Sequence, residues 1–257
     1  MEPLKVQTPI ARIIDVPVNA VTMEQAMEMV DQAILGRKRL QIGVVNAAKI
    51  VNMRRDATLR HDVFSSDIIL ADGMSVVWAG RLLRQPLPER VTGIDLMMNI
   101  LSKGNEKGYR VFCLGATEEV LGKVVEKITS DYPDVKVVGR RNGYFPEDEA
   151  QHVAVEVAAS GADVIFVAMT SPKKEKFLAR WSDDMKVPVC HGVGGSFDAM
   201  AGKVDRAPEI WQKFGIEWLY RVKQEPRRLW RRYLVTNTIF CAIVLREIGR
   251  NMFRKGS

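Results

Sequence analysis

The spacing of apolar and polar positions along the chain predicts helices and strands in near-regular alternation. Thr22, with Gln25 three positions on, makes a capping box, and Met23, Ala26, Met27, Val30 and Ile34 then recur on one helical face. Residues 40–45 read as a buried strand ending in Asn46, followed by a helix through Ile50 and Met53. A second short apolar strand, 67–71, ends in Asp72-Gly73. Beyond Thr92 the order is helix 94–105, strand 110–114, the turn Gly115-Ala116-Thr117, and a helix to about 130. Strand 135–138, helix 147–159, strand 163–168, a helix opening after Pro172 and a last strand 187–190 complete it.

Strands alternating with helices imply an α/β fold, a Rossmann-like and mainly parallel sheet with helices on both faces. Ligands of such sheets collect at the C-terminal ends of the strands. Asn46, Asp72, Gly115, the loop 170–174 and the loop 192–195 all fall at such ends.

The character changes at Pro208. Trp211, Trp218, Tyr220, Trp230 and Tyr233 are interleaved with Arg221, Lys223, Arg227, Arg228, Arg231 and Arg232, and Pro226 marks a break between two helices. The expected organisation is a catalytic α/β domain over 1–207 and a basic, helical, membrane-binding appendage over 208–257. The apolar run 234–245 is shorter than the roughly 20 residues of a spanning helix but could lie in a bilayer surface.

Composition adds an ordinary globular core, with 47% hydrophobic and 27% charged residues in 257. The net charge of +7 favours an anionic partner. Cys113, Cys190 and Cys241 lack any metal or redox spacing and read as reduced core residues. The N-terminus has no signal-peptide core, so export is not expected and a cytoplasmic location is.

Several residues could do chemistry. Asp72 could serve as a general base, or cap the helix from Met74. Arg90 could grip a diphosphate, or pair with Glu89 or Asp95. The turn at Gly115 and Ala116 opens a helix, where backbone amides suit phosphate, although the full dinucleotide fingerprint is absent. In Thr170-Ser171-Pro172-Lys173-Lys174-Glu175 either lysine could reach an anion, or the segment is a capped helix with a solvated lysine face. No metal-ligand spacing appears, and His191 reads as a packed or partly exposed histidine beside a glycine loop. The tail could also bind single-stranded nucleic acid, since arginines and aromatics alternate there.

Taken in order, Val45-Asn46-Ala47, Ala71-Asp72-Gly73-Met74, Glu89-Arg90-Val91-Thr92-Gly93-Ile94-Asp95, Leu114-Gly115-Ala116, Ser171-Pro172-Lys173-Lys174-Glu175, Gly192-Val193-Gly194-Gly195-Ser196-Phe197-Asp198, Arg206-Ala207-Pro208 and Glu217-Trp218-Leu219-Tyr220-Arg221 resemble the WecB/TagA/CpsF family of bacterial glycosyltransferases. The resemblance implies inverting, metal-independent transfer from a UDP-sugar to a polyprenyl-diphosphate-linked sugar at the inner face of the plasma membrane. It implies no cofactor and no nucleic acid, and leaves a homo-oligomer open.

Catalytic roles would fall to Asp72 as base, Arg90 and Asn46. Substrate binding would fall to Gly115, Ala116, Thr170, Lys174, Gly194 and Arg206, with Arg221, Arg228 and Arg231 of the tail on the diphosphate. Val44 and Lys174 depart from the family pattern, which has Thr and Gln there. A lysine brings a point charge where glutamine offers a donor and an acceptor, so a different donor or acceptor, a plain hexose or a uronic acid, is expected.

Overall fold

The computed structural model describes residues 1–213 and 215–254. A hairpin of β1 (Ile10–Ile13) and β2 (Val16–Asn19) leads to α1 (Met23–Gly36), β3 (Leu40–Val45), α2 (Ala47–Met53), α3 (Ala57–Phe64), β4 (Ile68–Ala71) and α4 (Met74–Leu82). Then come α5 (Gly93–Lys107), β5 (Arg110–Gly115), α6 (Glu118–Asp131), β6 (Lys136–Arg141), α7 (Ala150–Ser160), β7 (Val164–Ala168), α8 (Lys173–Met185), β8 (Val189–His191) and α9 (Ser196–Met200). Helices α10 (Glu209–Lys213), α11 (Glu217–Gln224) and α12 (Pro226–Arg254) follow.

Six strands form one parallel sheet in the order β4-β3-β8-β7-β5-β6. Five of its strands are largely apolar on both sides, as burial on both faces requires, whereas the edge strand β6 carries Lys136, Arg140 and Arg141 and is only partly buried. In β5, Val111 and Cys113 pack under α1, α5 and α6, while Phe112 and Leu114 pack under α7 and α8. The Thr22 capping box is present, with Gln25 answering the Thr22 amide. The helix expected over 147–159 opens as a single 3-10 turn, Glu147–Glu149, before α7. The last strand is Val189–His191, which carries His191 to the sheet's C-terminal edge.

The β1–β2 hairpin was not expected. It lies along the edge strand β4, where Asn19 Oδ1 accepts the Ile69 amide at 2.7 Å. That bond satisfies one of the backbone groups that an edge strand leaves open.

Pro226 does divide two helices, at the first position of α12. The apolar run 234–245 has a second use besides any surface role. Phe240 and Val244 are buried among Val45, Ile50, Val76 and Val77, so one face of α12 is seated on the body against α2. Burying the Phe240 ring alone contributes about 2 kcal/mol. The other face leaves Trp230, Leu234, Val235 and Leu245 exposed, with Arg227, Arg231, Arg232 and Arg246 beside them.

Candidate active site

Val45 and Ala71 are register partners in β3 and β4, so Asn46 and Asp72 leave the sheet side by side. The Asp72 amide still donates to Val45 O at 2.9 Å, which carries the ladder one residue further. Asp72 does not cap the helix that follows: the cap of α4 is Gly73, with no side-chain bond. Its carboxylate turns instead toward α5. Oδ1 accepts the Gly93 amide at 3.0 Å, and Oδ2 faces Asn46 Nδ2 at 3.4 Å. Asn46 uses its own Oδ1 to cap α2 through the Lys49 amide at 3.0 Å, and that directs its NH2 at Asp72. Asp72 stays half-buried, leaving part of the carboxylate open to a ligand.

Arg90 comes to the same edge because the next residue, Val91, donates its amide to Ala71 O at 3.0 Å. Its guanidinium pairs with Glu217 of α11 at 3.1 Å, rather than with its sequence neighbours Glu89 or Asp95. The second Glu217 oxygen lies 3.8 Å from Arg221. Arg206 pairs with Asp95 and with Gln212 Oε1, and Asp95 Oδ2 accepts the Thr92 hydroxyl at 2.6 Å. These contacts bring Arg206, Arg221 and Arg90 to the segment that also holds the Gly93 amide.

His191 is fully buried, and its Nε2 donates to Gly93 O at 2.9 Å. A carbonyl can only accept, so the proton sits on Nε2. Gly93 is thus held from both sides, through its carbonyl by His191 and through its amide by Asp72. Burial pushes the His191 imidazole down to about 4, against the pull of its bond to Gly93. Between its ordinary value near 6.5 and about 4 the unfolded chain binds a proton that the folded chain does not. Stability therefore falls as pH drops through that window. Thermal melts from pH 7 to 4 should show this slope in the native protein and a flatter one in His191→Gln.

Beside this edge lies a buried ionic cluster. Glu175 Oε1 accepts from Lys49 at 2.7 Å and from Lys174 at 2.9 Å, and all three side chains are under 10% exposed. Burial pushes the Lys49 ammonium down to about 8 and Lys174 adds to this, against the attraction of Glu175. Burial alone would raise Glu175, but the two lysines override it and hold the carboxyl at about 2. Lys174 is therefore no part of a solvated lysine face, although Lys173 and Lys176 of the same helix are exposed. Lys174 lies under the glycine loop, with its Nζ 3.5 Å from where a Gly194 Cβ would stand. Lys173 ties down the loop before α7 through Gly143 O and Phe145 O, at 2.9 and 3.0 Å. Thr170 is exposed at the end of β7.

Gly115 and Ala116 lie at the end of β5, four strand positions from β4, or about 19 Å across the sheet. Gly115 has φ +124, and a Cβ there would sit 2.6 Å from Ala168 backbone atoms, so no other residue fits. The Ala116 amide is committed to Ala168 O at 2.9 Å, and α6 begins with Glu118 and Glu119. Two carboxylates in a first turn oppose a phosphate there, so this turn offers close approach rather than a free amide cradle.

In the tail, Arg231 is exposed on α12, and the side chain of Arg228 lies outside the described residues. Gly215 (φ +63) meets α4, where a Cβ would stand 2.6 Å from Met74 Cβ, so the start of α11 covers the helix after Asp72. Among the described residues no group of three or more His, Cys, Asp or Glu side chains could hold a metal ion. Among them too, no helix is long and apolar enough to cross a membrane.

Three participants escaped the sequence reading: Lys49, the bridging role of Glu175, and the pairing of Glu217. Only Lys49 carried a local signal. It stands one helical turn after Asn46 in the otherwise apolar stretch Ala47-Ala48-Lys49-Ile50-Val51.

Residues 11–254 match the family described as "Glycosyl transferase WecG/TagA/CpsF family". A curated relative from Bacillus spizizenii is 36% identical over 196 residues, which cover 76% of this chain and 74% of that protein. Its name is N-acetylglucosaminyldiphosphoundecaprenol N-acetyl-beta-D-mannosaminyltransferase.

Proposed function

The chain belongs to the WecG/TagA/CpsF family of glycosyl transferases, and from that premise we propose the reaction that its site carries out. It is a glycosyltransferase; its donor is a UDP-sugar and its acceptor a sugar carried on a polyprenyl diphosphate. The relative named for an undecaprenol-diphosphate acceptor supports the lipid carrier. The separation of about 19 Å between the β4 and β5 strand ends suits a nucleotide-linked sugar better than a lone monosaccharide.

The observation that carries the mechanism is the aim of Asp72. Its carboxylate is steered off its own helix by the Gly93 amide and Asn46, at the strand end to which Val91 ties the Arg90 segment, and stays half open. In that position it takes the proton of the acceptor hydroxyl while the hydroxyl oxygen bonds to the anomeric carbon. The bond from that carbon to the UDP oxygen breaks on the opposite face, and the configuration inverts. Arg90 and Arg221, with Arg231 from the tail, balance the charge that grows on the leaving diphosphate, the part a metal ion plays elsewhere. Holding both substrates in line supplies much of the rate.

An isoprenoid carrier stays in its bilayer, so the enzyme has to come to the surface. The outward face of α12 suits that, with aromatic and aliphatic side chains among arginines. Each basic residue near an anionic surface contributes about 1 kcal/mol.

A single experiment tests the whole reading. A panel of UDP-sugars is offered with a polyprenyl-diphosphate sugar in anionic vesicles, in EDTA, and the vesicles are then floated. Expected are a lipid-linked disaccharide of inverted linkage, and enzyme that floats at low salt and not at high salt. No product from any donor would overturn the reaction. Product without flotation would remove the membrane contact alone, and product only without EDTA would remove metal independence.

A further inference from the structure

Glu217 links the two arginines that the reaction needs. One oxygen is 3.1 Å from Arg90 Nη1 and the other 3.8 Å from Arg221 Nη2. Arg90 belongs to the body and is 14% exposed, while Arg221 belongs to α11 and is 40% exposed. A carboxylate that engages one cation with each oxygen has the charge and two-pronged form of a phosphate group. We infer that Glu217 is a positioning residue that occupies the seat of a substrate diphosphate, keeps Arg90 and Arg221 at the spacing the diphosphate needs, and yields both when it arrives. The inference rests on the glycosyltransferase reading above and deepens it.

The physical case is one of competition. A guanidinium so little exposed as that of Arg90 would be costly to leave without a counter-charge. Glu217 supplies one from the tail, across 127 positions of sequence. The same contact holds the start of α11 to the body, next to the close approach of Gly215 and Met74. A diphosphate carries more charge than a carboxylate and so displaces it, leaving both arginines to close on the ligand. Glu217 thus keeps the empty site ordered and lowers its affinity together.

These roles predict a gain on removal, which a purely structural contact does not. Glu217→Gln keeps the length and an acceptor oxygen for Arg90 but loses the charge. Calorimetric titration at low salt compares the native protein and this variant with inorganic pyrophosphate, UDP and geranyl diphosphate. Losing a partly exposed competing ion pair worth about 1 kcal/mol should tighten pyrophosphate binding about fivefold. If the UDP titration tightens, the seat belongs to the donor; if the geranyl diphosphate titration does, it belongs to the acceptor. Initial-rate kinetics should follow with a lower KM for that same substrate.

Equal or weaker binding of all three ligands in Glu217→Gln, with its melting temperature unchanged, overturns the inference and leaves the transferase reading standing. Glu217→Ala is the second variant should the glutamine keep α11 docked, and no gain in either has the same meaning. Failure of the native protein to bind any diphosphate removes both the reading and the inference.

Discussion

Asp72→Asn should lower kcat for sugar transfer about a thousandfold while leaving KM and the melting temperature nearly unmoved. General base catalysis contributes on the order of 10²–10⁴, and a thousandfold is about 4 kcal/mol at the transition state. The variant isolates that contribution because its amide is nearly isosteric with the carboxylate. The side-chain oxygen that the substitution retains would still accept the Gly93 amide, so the contact between the end of β4 and the start of α5 keeps its geometry. What disappears is the ability to take a proton, together with the long 3.4 Å acceptance from Asn46 Nδ2. Steady-state kinetics with the lipid-linked acceptor, beside a thermal melt, decide the matter. Equal kcat in the variant would move the base elsewhere, whereas a rise in KM alone would make Asp72 a binding residue.

The two residues at the centre of this expectation were legible in the sequence for one physical reason. Each is a polar residue closing an apolar strand, and in a parallel sheet that position is the functional edge. Asn46 and Asp72 are 26 positions apart in the chain, yet the register of β3 and β4 puts them together without further information. The alternating core elements were legible in the same way.

Other parts depended on contacts between distant segments. Lys49 and Glu175 are 126 positions apart, and Arg90 and Glu217 are 127 apart. Neither partner's neighbourhood says which opposite charge it will meet. The β1–β2 hairpin escaped because its strands are four residues each and Pro17 interrupts the second. Helix α3 escaped because its sequence, Ala-Thr-Leu-Arg-His-Asp-Val-Phe, has little separation of apolar and polar faces. The seat of α12 was hidden differently. A run that is apolar enough for a membrane surface is also apolar enough for a protein core, and only the packing of Phe240 and Val244 separates its two faces.

The buried cluster below the glycine loop gives the largest expected effect on stability. Glu175→Gln should destabilise the fold by about 3 kcal/mol, because it removes the one carboxylate between two buried ammonium groups. For a chain of this size that is roughly 8 °C in melting temperature. The ordering within the cluster is the sharper test. It holds two positive charges and one negative, so Lys174→Gln removes the surplus charge, leaves the Lys49–Glu175 pair intact and should cost far less. Lys49→Met should fall between them, since Glu175 keeps Lys174.

The acid limb follows from the same contacts. The two lysines hold Glu175 at about 2, below the ordinary value near 4.5, despite its burial. Its contribution is complete above about 4.5 and is lost as pH falls toward 2, because protonation then favours the unfolded chain. Urea denaturation of the four proteins at pH 7 and pH 3 reads both effects. The native protein should lose stability between the two values by more than Glu175→Gln does. Equal costs for Glu175→Gln and Lys174→Gln would mean that charge balance does not govern this cluster, and that it is held by packing alone.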